Sequence, residues 1–449
     1  MKKLACLILT IVSLFAFNGC KNGEEMQIDD NFHPRIFDNN GVFIARTRVI
    51  NQGQSAVYNG LTFSPKPFEK TKIVWKVDGQ QVSTDTAYTF TPTAGGEYEL
   101  RVEATYNGQT STRISNILVS PDTYTPKDYT HVIMAYLSEN GKATDIDWSK
   151  VTHVAFNGAR VISSTAIDYS KGNTNQNIDE IVARGHINGV PVLLGITGRL
   201  SGIDGWSLYN STDFGLSINT ADKRATLIEN IKTYVANRKL DGVDIMMTDL
   251  GNDSYDVSAE MTRSVAPFLN ELKAALPAGA IVTATVTVNY LHWEYLSLMA
   301  ADWINVHAFE DGLTVGPGAP RGQPSSLQFM IDAANIWVNT KGYPKDKLVI
   351  GIPAFGLRYD AIDANGNNLS WGSYGYMMYK DIVAADASAP QNEHTDKIAQ
   401  GAYYNGLPLV TQKADYIKTN GFKGAYLWAE DYDVAGTSSL LNVVSNKLK

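Results

Sequence analysis

Eight apolar, strand-like runs punctuate residues 131–449: HVIMAYLS, VTHVAFNGARV, VPVLLGITG, LDGVDIMMTD, IVTATVTV, WINVHAFED, KLVIGIPAFGL and FKGAYLWAED. Amphipathic stretches separate them. In SLQFMIDAANIWV, for example, Leu327, Met330, Ile331, Ala334 and Trp337 recur at the spacing of one buried helix face. This alternation predicts an α/β chain whose main body is a (β/α)8 TIM barrel, a fold that typically takes about 250 residues. Such a barrel works at the C-terminal ends of its strands, so residues there are the first candidates for function.

The remaining residues divide differently. Between 38 and 120 the pattern is short alternating runs with turn residues between them, as in TKIVWKVDGQQVS around Asp78-Gly79, a pair that tolerates the positive φ of a tight hairpin. Tyr98, Leu100 and Val102 alternate with Glu97, Glu99 and Arg101, which predicts a two-faced strand. A small all-β sandwich with Trp75 as core anchor is expected. Residues 121–130 hold two prolines without apolar periodicity and read as a linker, and polar residues 20–37 read as a tether.

Residues 1–19 carry Lys2 and Lys3 before the run LACLILTIVSLFAF, the anatomy of a cleaved secretory signal. Cys6 would leave with it. Cys20 would then be the sole cysteine, which excludes an internal disulfide in the mature chain. With 44% hydrophobic and 19% charged residues the composition is that of a globular protein. A net charge of -8 without a basic cluster argues against nucleic acid as a partner.

Several motifs carry resemblances. FNGC, ending at Cys20, resembles the lipobox of bacterial lipoproteins, and the following KNGEE resembles the acidic export tag of Bacteroides-like surface lipoproteins. The resemblance implies a lipidated Cys20 and an anchor in the outer membrane, at the cell surface; a soluble secreted protein with a spare thiol is the alternative. Residues 38–120 resemble the PKD or immunoglobulin-like modules of bacterial surface proteins. Such a module is either a spacer or a glycan-binding unit, and the lack of an aromatic cluster outside the expected core favours the spacer.

The barrel resembles glycoside hydrolase family eighteen, the family of chitinases and endo-β-N-acetylglucosaminidases. THVAF, LLGITG, LDGVD, GYPKDKLVIGIPAFGLRY and YNGLPLVTQKADYIKTNGFKGAYLW look like its second, third, fourth, seventh and eighth strands, in that order. The resemblance implies a substrate-assisted mechanism, in which a fourth-strand Glu protonates the glycosidic oxygen while the sugar's own acetamido group attacks; this family is a recognised exception to the two-carboxylate scheme.

This chain departs from that pattern at the chemistry. Against Asp-Gly-x-Asp-x-Asp-x-Glu it keeps Asp241, Gly242 and Asp244 but places Met246 at the third Asp and Thr248 at the acid. In INVHAFED, His307, Phe309 and Glu310 stand where the family carries Met, Tyr and Asp. A threonine hydroxyl is no proton donor near neutral pH, and general acid catalysis is worth about 10²–10⁴ in rate. Asp249 and Glu310 remain as relocated acids, although alternation along the strand turns Asp249 away from the barrel axis.

The sugar-holding positions are better kept. Trp428 aligns with the tryptophan that floors the N-acetylglucosamine subsite, and Tyr136 and Phe156 match aromatic positions of the same site, with core filling as the other reading for Phe156 and Trp428. Tyr359, Trp371, Tyr374, Tyr376 and Tyr379 gather before the eighth strand, in a stretch that reads as too short for the extra α+β module of many chitinases and therefore predicts a shallow site. DANGN reads as a turn rather than a calcium loop, and the histidines lack metal-ligand spacing, so no cofactor is expected.

The expected function is non-catalytic binding of glycans that contain N-acetylglucosamine, host N-glycan or chitin fragments, for uptake by a neighbouring transporter and hydrolase. An active glycosidase with a moved acid and a protein-binding barrel are the alternatives. The expected contact set is Tyr136, Phe156, Asp244, Met246, Thr248, Asp249, His307, Phe309, Glu310 and Trp428.

Overall fold

The computed structural model describes residues 32–65, 71–163, 166–169, 174–198, 213–246, 255–310 and 315–449. Cys20, Thr248 and Asp249 lie outside the described residues. Two compact units are present: one takes the residues through Thr93 with Glu97–Ile117, the other Ala94–Gly96 with Leu118–Lys449.

The first unit is a small β module. Strands Arg48–Asn51, Gln109–Ser120, Gly96–Tyr106, Lys72–Val77 and Gln80–Ser83 lie in that order in a five-stranded sheet, beside two two-stranded pairs. Asp78 and Gly79, at φ 48° and 80°, turn Lys72–Val77 back into Gln80–Ser83. Trp75 is fully buried, packs against the rings of Phe43, Tyr58 and Tyr88, and donates its indole N–H to the Asp85 carbonyl at 2.9 Å. Leu100, Val102 and Ala104 are buried on alternate positions of their strand, as period-two patterning requires.

The second unit is a closed barrel of eight parallel strands: β1 (Val132–Leu137), β2 (His153–Ser163), β3 (Val192–Thr197), β4 (Gly242–Met246), β5 (Ile281–Val286), β6 (Trp303–Val306), β7 (Leu348–Pro353) and β8 (Gly424–Trp428). Each pairs with its sequence neighbour, and β8 pairs with β1 to close the ring. All eight apolar runs supply these strands. Most are buried on both faces, as expected of parallel strands enclosed by helices.

Alternation splits their side chains between two cores. Outward residues such as Val243, Ile245, Ala284 and Ile350 pack under the helices, with Met330, Ala334 and Trp337 of the predicted amphipathic stretch among their neighbours. Inward residues fill the barrel: Val132, Met134 and Tyr136 from β1, Leu193, Met246, Trp303, Val349 and Tyr426 from the others, with Phe309 and Phe355 above them. Gly351 on β7 permits this packing, because a β-carbon there would meet the Tyr426 hydroxyl at 2.6 Å and the Phe309 ring at 2.8 Å.

Residues 121–130 do not hang free of the barrel. Tyr124 stacks on His186 at 4.1 Å and donates to Asp241 at 2.6 Å, and the Lys127 ammonium reaches the Trp148 carbonyl at 2.6 Å. Asp241 also accepts from the Val192 backbone at 2.7 Å, so the first acid of the LDGVD motif serves the N-terminal ends of β3 and β4 rather than the mouth.

Between β7 and β8 the expectation of a stretch too short for an α+β module fails. Phe355–Tyr359, Tyr374–Met378, His394–Thr395 and Ala402–Tyr403 form a four-stranded antiparallel sheet, followed within it by helix Tyr379–Ala385. Two- to five-residue strands make a module compact enough for that length. It walls one side of the mouth.

Candidate functional site

Asp244 sits inward on β4, one period below Met246, and is fully buried. Tyr136 of β1 donates to it at 2.6 Å, Asn305 of β6 at 2.9 Å, Thr285 of β5 at 3.1 Å, and Thr283 also donates. Asn305 is itself fixed by the Trp303 indole N–H at 3.0 Å. Burial pushes the Asp244 carboxyl above its usual range while the four donors pull it back. The same burial, with the Asp244 charge beside it, pushes the Tyr136 phenol well up.

Asp244 and Tyr136 were expected to meet ligand, and here the structure corrects the sequence. Both have zero exposure, because the side chains one layer nearer the mouth cover them. Met246 is 8% exposed and Phe309 1%, so both belong to the floor beneath the mouth. Phe309 is wedged among His307, Phe355 and Tyr426, with ring centroids at 3.9, 5.8 and 6.1 Å.

Phe156 is a second correction. On β2 it is Ala155 that points into the barrel, and Phe156 points outward into the core beneath the helices, fully buried. A residue on that face cannot reach the mouth.

What does open at the mouth is a pocket of about 310 Å³ lined by Glu310, Phe355, Tyr376, Met377, Met378, Trp428 and Tyr432. Trp428 ends β8 and rests on the Tyr136 ring at 5.2 Å, which ties the exposed floor to the buried network. Glu310 follows β6 with φ 70°, its backbone N–H held by the Pro324 carbonyl at 2.9 Å. Its carboxylate lies 3.3 Å from His307 Nε2 and accepts a hydrogen bond from Tyr376. Burial and the Glu310 charge raise the Tyr376 phenol, and the same two causes raise Tyr374 less directly. Tyr376 still keeps 58% of its surface exposed.

Of the expected set, then, Glu310 and Trp428 line the pocket, with His307 behind Glu310. Phe355, Met377, Met378 and Tyr432 were missed. Of the tyrosine-rich stretch, Tyr376 lines the pocket, while Tyr359 and Tyr379 are packing residues at 1% and 0% exposure. DANGN forms a turn in which Asp363 accepts from the Asn365 and Asn367 backbones at 2.8 and 2.9 Å.

Eight parallel strands closed into a ring with helices outside, and a pocket lined largely by aromatic residues where the strands end, define a TIM-barrel protein. The family profile of "Glycosyl hydrolases family 18" matches residues 104–433, and the chain belongs to that family. Endochitinase 1 of Metarhizium robertsii is 27% identical over 286 residues, which cover 55% of this chain and 64% of the fungal protein, so the chain spans less than two thirds of that relative. The GH18 chitinase ChiB from the chitin utilization locus of Flavobacterium johnsoniae shares the fold with TM-score 0.57 and 23% identity, covering 72% of this chain and 94% of its own. Human YKL-39, described as a pseudo-chitinase with retained chitooligosaccharide binding properties, shares it with TM-score 0.57 and 18% identity, covering 71% of this chain and 99% of its own.

Proposed function

We propose that this chain binds glycans containing N-acetylglucosamine without cleaving them. The observation that carries the reading is the division of the barrel's upper interior into two parts. An aromatic pocket stays open around Trp428, Tyr376 and Tyr432, while Asp244, the inward carboxylate of β4, is sealed beneath it and hydrogen-bonded by four neighbours. Flat aromatic faces suit the apolar faces of pyranose rings. Met246 and Phe309 offer no acid or hydroxyl at the floor, and the sequence places Thr248 where the family resemblance expects the proton donor.

The family holds both arrangements. Its relatives include proteins named chitinases and the pseudo-chitinase YKL-39. One observation favours the second reading, an active hydrolase: Glu310 has a histidine at 3.3 Å and a position at the mouth. Incubation with chitooligosaccharides and an N-glycopeptide separates the two. Persistent intact complexes support the receptor; shortened glycans that vanish with Glu310→Gln support the hydrolase.

The wider setting of the proposal follows from the N-terminus. Lipidation at Cys20 would anchor the chain at the outer surface of the outer membrane, tether 20–37 and an immunoglobulin-like spacer over 38–120 would lift the barrel at 131–449 off it, and captured glycan would pass to a neighbouring transporter and hydrolase. Metabolic labelling with a fatty-acid analogue, lost on Cys20→Ser, tests the anchor.

A further inference from the structure

The pocket narrows the ligand further, on the condition that the glycan-binding reading holds. We propose that the sugar unit over Trp428 is a hexosamine with a free, protonated amino group paired to Glu310, so that the preferred ligand is a partly de-N-acetylated oligosaccharide of N-acetylglucosamine.

Glu310 is the one charged side chain among the described pocket residues; the rest are aromatic rings and two thioethers. Its backbone is fixed by Pro324, and its side chain is 32% exposed, so the carboxylate is held at the rim with a face toward the cavity. His307 Nε2, outside the cavity lining, lies 3.3 Å from the carboxylate. Around it stand Phe355, Tyr376, Trp428 and Tyr432, whose ring faces are electron-rich.

A carboxylate among aromatic faces is an environment for a cation. An ammonium there gains the charge pair and the ring quadrupoles together, and both strengthen as ligand displaces water. A neutral acetamide gains neither. The floor beneath, Met246 and Phe309, presents only apolar atoms to it. No lysine or arginine among the described lining residues competes for Glu310.

The test is calorimetric titration of residues 21–449 with chitohexaose and with hexamers of the same length carrying glucosamine units, in neutral buffer, for the wild type and Glu310→Gln. The glucosamine-containing hexamers are expected to bind at least about tenfold more tightly, a difference that Glu310→Gln reduces to about twofold or less. Equal or tighter binding of chitohexaose to the wild type overturns the proposal while leaving the glycan reading standing, and it needs no variant to interpret. A preference that persists in a folded Glu310→Gln protein also overturns it, since the attraction would then come from the overall charge of -8. If neither hexamer binds, this proposal is overturned, and the N-glycopeptide then decides the glycan reading separately.

Discussion

Trp428 and Tyr136 pack ring against ring at 5.2 Å, one at the open floor of the pocket and the other fully buried on the Asp244 carboxylate. The contact joins a polar network that water cannot reach to a surface that ligand can. It predicts that the two layers respond differently to mutation.

Tyr136→Phe removes a hydrogen bond to a buried charge and leaves Asp244 short of one donor. A loss of about 1–3 kcal/mol in stability is expected, measured by urea denaturation, with glycan affinity falling only as far as Trp428 shifts. A collapse of binding without loss of stability would place Tyr136 in contact with ligand.

Trp428→Ala should do the reverse. Truncating the aromatic floor is expected to weaken glycan binding by about 2 kcal/mol or more, roughly thirtyfold, as for other buried aromatic anchors at interfaces. Titration calorimetry reads this directly, and affinity within a factor of about two of wild type would remove Trp428 from the site.

Much of this was legible in the sequence. Eight apolar runs gave eight strands because enclosed parallel strands need both faces apolar; Glu310 was picked for its mouth position and Trp428 through the family resemblance, and both line the pocket. That double-sided character also hid the parity of β2: with Ala155 and Phe156 both apolar, nothing in THVAF says which faces inward. Depth was hidden too. Asp244 and Tyr136 lie one layer lower than a mouth position, and only the Met246 and Phe309 side chains above them reveal it. The insertion escaped because its strands have two to five residues, although Tyr374 and Tyr376 alternate as strand residues do.

Glu430, just past β8, carries a titration prediction. It is 7% exposed with Oε2 unpaired, and burial, then the neighbouring Asp433 charge, hold its carboxyl well above the usual range. A carboxyl whose folded pKa is raised gives stability that is complete below the unfolded pKa and is lost as pH rises toward the folded value. Glu430→Gln escapes that loss. Its stability relative to wild type should grow with pH across that interval, by up to about 1.4 kcal/mol per pH unit, and level off above it. Denaturation midpoints for the two proteins from pH 4 to pH 8 check the slope; parallel curves would contradict it.

Trp75 supplies the prediction for the β module. Trp75→Ala should cost about 3–5 kcal/mol, enough to unfold a small sandwich. Hydrogen exchange should then lose protection within residues 35–117 alone, and glycan affinity should stay at the wild-type value if the module is a spacer. A parallel loss of affinity would make it part of the binding surface.

Native mass spectrometry of residues 21–449, held overnight with an N-glycopeptide and a chitooligosaccharide series, addresses the central claim most directly. The account predicts intact protein–glycan adducts and no shortened glycan at any time. Products that accumulate with time would contradict it and make Glu310 the first residue to replace.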